Sequence, residues 1–331
     1  MQALVTGGSG FIGSEVIQQL TQQGVAVRAL LRKTSPRHNL QGLDYETVLG
    51  DLSDLQSLKE AVKGVDYVFH LAGAILARNR AEYFSQNAVG TGNLAQACAE
   101  ANPGLKRFVY VSSIAASGPS DSLKPREEVD AETPISSYGA SKLGGERELA
   151  RWSASYPTTV LRPPAVYGPR DKAVFEFVKV VNTGIVPVLP ASQRNGKKYY
   201  SVIHVEDLVR GIVLAGLAPE QSRREVFFLC GDGVYTWNEL MAAMAEGLGK
   251  RTVRIPVPGF ALTGLGAMYT AAGWLMQKNY PLSLDKLKEL RADYWICSNE
   301  RAKKVLGFEP KWDLRRGMAQ TISWYRLNGW V

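Results

Sequence analysis

Apolar residues in this chain fall into short runs that alternate with stretches of helical spacing, from the N-terminus to about residue 167. Gln2-Ala3-Leu4-Val5 reads as a short buried strand, and the Val16/Ile17/Leu20 spacing behind it reads as a helix. Further buried runs cover residues 25–31, 45–49, 65–70, 107–113 and 158–162, with helical stretches over 80–101 and 138–151. Strand and helix in alternation predict an α/β protein built on a parallel sheet. Beyond residue 168 the alternation breaks down. Residues 225–231 read as one more strand returning to the sheet, while 237–248 and 311–330 read as parts of a smaller, mostly helical lobe. The expected division is therefore residues 1–167, with 199–231 returning to them, against 168–198 and 232–331.

Between the first strand and the first helix stands Thr6-Gly7-Gly8-Ser9-Gly10-Phe11-Ile12-Gly13. Strand, glycine turn and helix are the context of a dinucleotide site. Gly7 can take the positive φ of a tight turn, Gly10 lets the backbone approach a pyrophosphate, and Gly13 lets helix and strand pack closely. The unpaired N–H groups at the helix start then favour the anion.

Composition narrows the field a little. At 331 residues, 45% hydrophobic and 21% charged, the chain has the make-up of an ordinary soluble protein with one large domain or two sharing a core. Cys98, Cys230 and Cys297 are odd in number and far apart, which speaks against a disulfide framework or a zinc site. His38, His70 and His204 are too scattered for a metal centre, so none is expected. The net charge of +8 is dispersed, with no aromatic–basic interleaving of a nucleic-acid binder. No charged leader or cleavage site precedes the first strand, and a cytoplasmic protein is expected.

The GxxGxxG spacing after Thr6 resembles the extended branch of the short-chain dehydrogenase/reductase superfamily, whose form is TGGxGFIG. The likeness runs on through Gly50-Asp51-Leu52, Leu71-Ala72-Gly73, Asn87, Ser112-Ser113 and the Tyr138-Gly139-Ala140-Ser141-Lys142 pentad. It implies a Rossmann-type doubly wound parallel sheet with a helical substrate lobe, the NAD-dependent epimerase/dehydratase-like architecture. Asp51 and Leu52 would meet the adenine, and Ala72 and Gly73 the ribose and phosphates. Phe11, Ile12, Leu71, Val111, Ser112, Pro163 and Val166 complete the implied cofactor contacts, with Asn87 supporting the strand that carries the active-site serine. Asp51 by itself would read as a cap for the helix from Asp54, His70 and Asp207 read as structural, and family members often pair as homodimers through helices at 80–101 and 136–151.

The cofactor expected is NADP(H) before NAD(H). An acid that would take the adenosine ribose hydroxyls is replaced by Leu31, and Arg32, Lys33, Ser35 and Arg37 follow. Guanidinium pairs with phosphate through two parallel hydrogen bonds, which suits a 2′-phosphate.

The chemistry implied is that of a Ser–Tyr–Lys set. Tyr138 and Lys142, four residues apart, share a helical face. The Tyr138 phenol would exchange the proton, the Lys142 ammonium would lower its pKa and bond the nicotinamide ribose, and Ser113 would stabilise charge on the substrate oxygen. Sugar dehydratases place an acid after the active-site hydroxyl, where this chain has Ile114. Nucleotide-sugar epimerases of this branch have an Asn and an Arg where Ala165 and Tyr200 stand. Arg162-Pro163-Pro164 and Ser112-Ser113 look closer to dihydroflavonol reductases, 3β-hydroxysteroid dehydrogenases and hopanoid-associated epimerase-like proteins. The expected substrate is a largely apolar ketone or secondary alcohol. A nucleotide-sugar epimerase is the runner-up, since Lys197 and Lys198 lie near enough to Tyr200 to replace the phosphate contact. A non-catalytic NADP(H)-sensing regulator is the third reading, disfavoured because Ser113, Tyr138 and Lys142 are all present. Residues 255–277 carry no charge and are expected to form a buried or pocket-lining helix, with a weak membrane-surface contact as the alternative.

Overall fold

The computed structural model describes residues 1–191, 196–217, 225–276 and 284–331, the side chains of 271–275 excepted. Its strands are β1 Gln2–Thr6, β2 Ala26–Leu31, β3 Glu46–Leu49, β4 Tyr67–His70, β5 Arg107–Val111, β6 Thr158–Arg162, β7 Ala165–Tyr167, β8 Ile185–Val188, β9 Tyr199–His204, β10 Glu225–Phe228, β11 Val234–Thr236, β12 Val253–Pro256 and β13 Tyr294–Trp295. The helices of the first half are α1 Phe11–Gln22, α2 Leu55–Val62, α3 Arg80–Phe84, α4 Gly90–Ala101, α5 Ile114–Ser117 and α6 Ser137–Ala150. Those of the second are α7 Lys172–Asn182, α8 Val205–Leu217, α9 Trp237–Leu248, α10 Gly259–Met276, α11 Leu284–Arg291, α12 Glu300–Leu306 and α13 Leu314–Leu327.

Seven strands form one sheet in the order β10-β6-β5-β4-β1-β2-β3, every pair parallel. This is the doubly wound Rossmann arrangement, and the strand order reverses between β1 and β4, where such sheets bind ligands at their C-terminal ends. The sheet is apolar on both faces because helices cover both. Val16, Ile17 and Leu20 of α1 and Leu208 and Ile212 of α8 lie in one core layer, Leu58 of α2, Leu94 of α4 and Leu149 of α6 in the other. A second sheet joins β11, β9 and β13, with β7 on β9. Residues 199–204 thus sit with this smaller sheet, and the return to the main layer starts at α8. The smaller lobe has its own core, in which Trp237, Met241 and Met244 of α9 meet Met318 and Ile322 of α13.

The helix expected over 80–101 is interrupted. Residues Ser85–Val89 form a π turn between α3 and α4, with buried Asn87 inside it. A π turn is a local widening of the helix often found at functional sites, and apolar periodicity carries no trace of it.

Residues 255–277 depart further from expectation. Part of the stretch is β12 and most of it is α10, which lies outward: Phe260 is 81% exposed and Met268 55%. Gly266 is buried against Leu287 of α11, so one face of α10 rests on that neighbour. Gln277 lies outside the described residues. Among the described residues no helix is long and apolar enough to cross a membrane.

Candidate active site

At the switch point the glycine turn closes on the strand beside it. Gly7 has φ +72°, and a Cβ there would stand 2.7 Å from the Ala72 nitrogen. A Cβ on Gly13 would stand 2.2 Å from the Gly7 carbonyl oxygen, so α1 can pack on β1 only without that side chain. Gly10 begins α1, its N–H bonded to the Gly7 carbonyl at 3.0 Å. No side chain caps α1, and no acid lies in its first turn. By contrast Asp54, Ser113, Ser136, Asp171, Thr236 and Asp313 cap α2, α5, α6, α7, α9 and α13. An uncapped helix start with glycines around it fits the pyrophosphate of a nicotinamide dinucleotide, whose charge meets the first-turn N–H groups. Phe11 and Ile12 pack their side chains into the adjoining core layer, so their contribution to such a ligand is the backbone.

The end of β2 supplies the cations. Arg32 and Lys33 are exposed, and the Arg32 N–H donates to the Ser35 hydroxyl at 3.0 Å, which draws the turn tight. Asn39 donates to the Ser9 carbonyl at 3.1 Å and so ties this loop to the glycine turn, a contact no sequence signal announced. Asp51 is not the cap of α2; Asp54 is, accepting from the Gln56 and Ser57 N–H groups. Asp51 instead accepts from the Ser53 N–H and hydroxyl, which hold its pKa below the ordinary value, with Arg32 adding to the effect. Leu52, half-buried, lies where a Cβ on Gly90 would meet it at 3.0 Å.

Leu71, Ala72 and Gly73 continue β4 past the glycine turn. The Leu71 N–H donates to the Thr6 carbonyl and the Ala72 N–H to the Thr6 hydroxyl, both at 3.2 Å. From Thr6 a buried chain of hydrogen bonds runs inward. Thr6 Oγ1 lies 2.6 Å from His70 Nδ1, His70 Nε2 lies 2.9 Å from Thr91 Oγ1, and the Thr91 hydroxyl donates to the Asn87 carbonyl at 2.6 Å. With the Thr91 proton so placed, its oxygen accepts from Nε2–H, leaving Nδ1 to accept from Thr6. His70 is therefore neutral and structural, and burial, helped by the Lys142 charge, lowers its pKa to about 3.

Asn87 does not support the serine strand as expected. Its amide accepts from the Ala74 N–H at 2.7 Å and donates to the Ala74 carbonyl and to the Ser141 hydroxyl. It clamps the segment after β4 to α6. Ser112 is likewise turned away: buried, it donates to Glu146 at 2.5 Å. Pro163 accepts the Ile114 N–H at 2.8 Å and so supports the serine turn from behind, while Val166 packs against the core.

The fold sets Ser113 beside Tyr138 and carries Lys142 on the same helix as that tyrosine. A Cβ on Gly139 would stand 2.2 Å from the Ala115 carbonyl oxygen, so the start of α6 packs directly on the turn that holds Ser113. The Ser113 hydroxyl lies close enough to the Tyr138 phenol to favour its ionised form. Lys142 is buried; its Nζ donates to the Val111 carbonyl at 2.8 Å and lies 4.4 Å from the Tyr110 ring centre. Gly73 is close by, its would-be Cβ 3.8 Å from the Lys142 nitrogen. The glycine turn, Gly73 and Lys142 thus form one continuous wall.

The electrostatics differ from expectation. Burial raises the Tyr138 phenol above its ordinary value, with the nearby Ser113 hydroxyl acting the other way. Burial also pulls Lys142 down to about 7, opposed by Glu146. The expected lowering of the phenol by Lys142 is not produced by these side chains alone. Desolvation of the phenolate sets the direction, and the ammonium is directed at Val111 and Tyr110.

Two supports escaped the sequence reading. Glu146, one turn beyond Lys142, receives Arg162 Nε at 3.0 Å and Nη2 at 2.5 Å, and the pair is almost wholly buried. Its i+4 spacing from Lys142 was the available signal. Helix α11 covers the start of α6: Asp285 accepts from the Ser137 N–H at 2.8 Å, Glu289 from the Ser136 hydroxyl at 2.5 Å, and the Lys286 ammonium lies 4.7 Å from the Tyr138 ring centre. These contacts span about 150 residues of chain and have no local signature.

Apart from its contact with Lys286, Tyr138 packs against an apolar cluster. Ile114, Ile135, Phe228, Trp295 and Tyr200 share one cluster with it. Lys198 is not free to meet a phosphate. It is buried, 2.8 Å from Asp293 and bonded to the Arg291 and Ala292 carbonyls.

The NAD dependent epimerase/dehydratase family model matches residues 3–231. Ceramide reductase of Caulobacter vibrioides is 32% identical over 332 aligned residues, covering 99% of this chain and 95% of that protein. Human sterol-4-alpha-carboxylate 3-dehydrogenase, decarboxylating, is 27% identical and covers 97% of this chain and 87% of its own. Among solved structures, UDP-glucose 4-epimerase of Thermotoga maritima with UDP-glucose matches with a TM-score of 0.79, 26% identity and 99% coverage of both chains.

Proposed function

The chain belongs to the NAD dependent epimerase/dehydratase family, in the extended short-chain dehydrogenase/reductase branch, and we propose that it is an NADP(H)-preferring reductase of a largely apolar ketone. Nicotinamide, when bound, supplies the hydride. The chain's own residues do the rest. Ser113 and Tyr138 donate to one carbonyl oxygen, and the Tyr138 proton passes to that oxygen as charge develops on it. Burial keeps the phenol protonated at neutral pH, the form reduction requires; oxidation of the alcohol would need the phenolate. Lys142, fixed by Val111, marks the wall where the ribose would lie.

The observation that carries the substrate class is the apolar cluster around Tyr138 together with Lys198. Lys198, buried and two residues before Tyr200, is held by Asp293, so the replacement phosphate contact expected for an epimerase is not offered by that side chain. Relatives named for a ceramide and a sterol make long-chain and polycyclic ketones the first compounds to try. The epimerase reading keeps its place through the fold shared with the Thermotoga maritima enzyme. Preference for NADP(H) rests on exposed Arg32 and Lys33 and on Leu31 at the ribose position.

A thermal-shift and turnover panel tests both. Saturating NADPH or NADH is combined with ceramide-type, steroid and flavonoid-like ketones, and with UDP- and dTDP-sugars. A ligand at about one hundred times its Kd adds roughly 2.7 kcal/mol of stability. Stabilisation and turnover by the apolar set with NADPH is expected. Conversion of a nucleotide sugar alone would establish the epimerase, and cofactor binding without turnover on any compound would favour the sensing regulator.

A further inference from the structure

Helix α10 carries no charged side chain, yet Phe260, Leu265, Met268 and Met276 among its described residues are exposed. Thr263, Gly266 and Thr270 lie against α11, where Arg291 donates to the Thr263 hydroxyl at 2.8 Å and the Leu284 N–H to the Thr270 hydroxyl at 2.9 Å. A helix without a polar face is ordinarily buried in protein or lipid. The exposed surface also continues past the helix. Val253 of β12 is 68% exposed and pairs in register with exposed Ile185 of β8, and Ile255 follows on the same face of the strand. Ile185, Val253, Ile255, Phe260, Leu265 and Met268 make a patch of the kind that marks an interaction site.

Charge identifies the occupant. Between Glu246 and Asp285 the sequence holds no acidic residue, and Lys250, Arg251 and Arg254, all exposed, lead directly into α10. On α11, the acids Asp285 and Glu289 point inward to Ser136 and Ser137. We propose that α10 and the β8–β12 ribbon dock on the surface of a bilayer rich in anionic phospholipid, lying in the interface without crossing it. Apolar side chains entering the headgroup region with cations beside them are how an interfacial helix binds. A second copy of the chain fits less well, because a two-fold interface would set the same three cations against themselves. α10 rests on α11, and α11 rests on the turn that carries Tyr138. Docking therefore brings the mouth of the site to the lipid, where an apolar ketone would reside; that consequence rests on the reductase reading, while the docking does not.

Sedimentation with lipid vesicles tests the proposal on the full chain. Phosphatidylcholine vesicles are compared with vesicles containing phosphatidylglycerol, at low and high salt and without substrate. Binding is expected to favour the anionic vesicles and to weaken with salt. Replacing Lys250, Arg251 and Arg254 together by Gln should lower partitioning roughly a hundredfold and remove the salt dependence. Phe260→Ser with Met268→Ser should lower it by about a hundredfold at every salt concentration. Light scattering and NADPH binding on the same variants report assembly and fold. No vesicle binding, binding indifferent to these substitutions, or a dimer that Phe260→Ser abolishes in the absence of vesicle binding would each overturn the proposal. Turnover of a water-soluble ketone without vesicles tests the reductase reading separately.

Discussion

Neutral His70, locked between Thr6 and Thr91, makes a prediction about stability and pH. An imidazole in the unfolded chain has a pKa of about 6.5, whereas the buried ring resists protonation until about 3. Between those values the unfolded state binds more protons than the folded one, so stability must fall as pH is lowered through that window. At about 1.36 kcal/mol per unit, the loss from His70 between roughly pH 7 and pH 5 is about 2 kcal/mol. Protonation at Nδ1 would also set two donors against Thr6 Oγ1, which already accepts from Ala72, and Lys142 repels the new charge. Asp171, raised to about 6 by burial, acts in the opposite sense over part of the range. Comparison with His70→Gln removes that contribution, because Asp171 is unchanged in the variant. Urea unfolding at a series of pH values should therefore show wild type losing about 2 kcal/mol more than His70→Gln from neutral to mildly acid conditions, whatever the variant's absolute stability. Equal slopes for the two proteins would mean that His70 is already protonated or is not buried, and the hydrogen-bond assignment would be wrong.

Removing the Tyr138 hydroxyl with Tyr138→Phe should lower kcat by roughly a hundredfold to ten-thousandfold and leave the Kd for NADPH nearly unchanged, whereas Lys142→Met should damage both; wild-type kcat in Tyr138→Phe would refute the assigned proton donor. Glu146→Gln leaves Arg162 with Glu132 alone, 3.0 Å away and partly exposed, and should cost roughly 2–4 kcal/mol in unfolding free energy, somewhat less than a wholly unpaired buried charge. Part of that loss should be recovered in the double variant Glu146→Leu/Arg162→Met, so strictly additive losses would count against the pairing.

Residue order along the chain was enough to determine the main architecture. Buried runs, helical spacing and glycine placement are local consequences of backbone geometry, and they located every strand of the large sheet. They also placed the glycine turn on β1 and the Tyr138/Lys142 pair on one helix, because these depend on neighbours a few residues away. Whatever depends on a distant partner stayed hidden. Asn87 reads as a helical residue until the π turn aims it at Ala74 and Ser141. Lys198 reads as a surface cation until β9 and β13 pair and bring Asp293 to it. Tyr138 reads as a phenol tuned by Lys142, but its pKa is set by how much water the fold removes and by where the ammonium is drawn. The uncharged stretch leading into α10 reads as core, since hydropathy reports how much an apolar side chain gains from leaving water. Only the packing of α10 on α11 decides which faces have left it, and Phe260, Leu265 and Met268 still meet solvent.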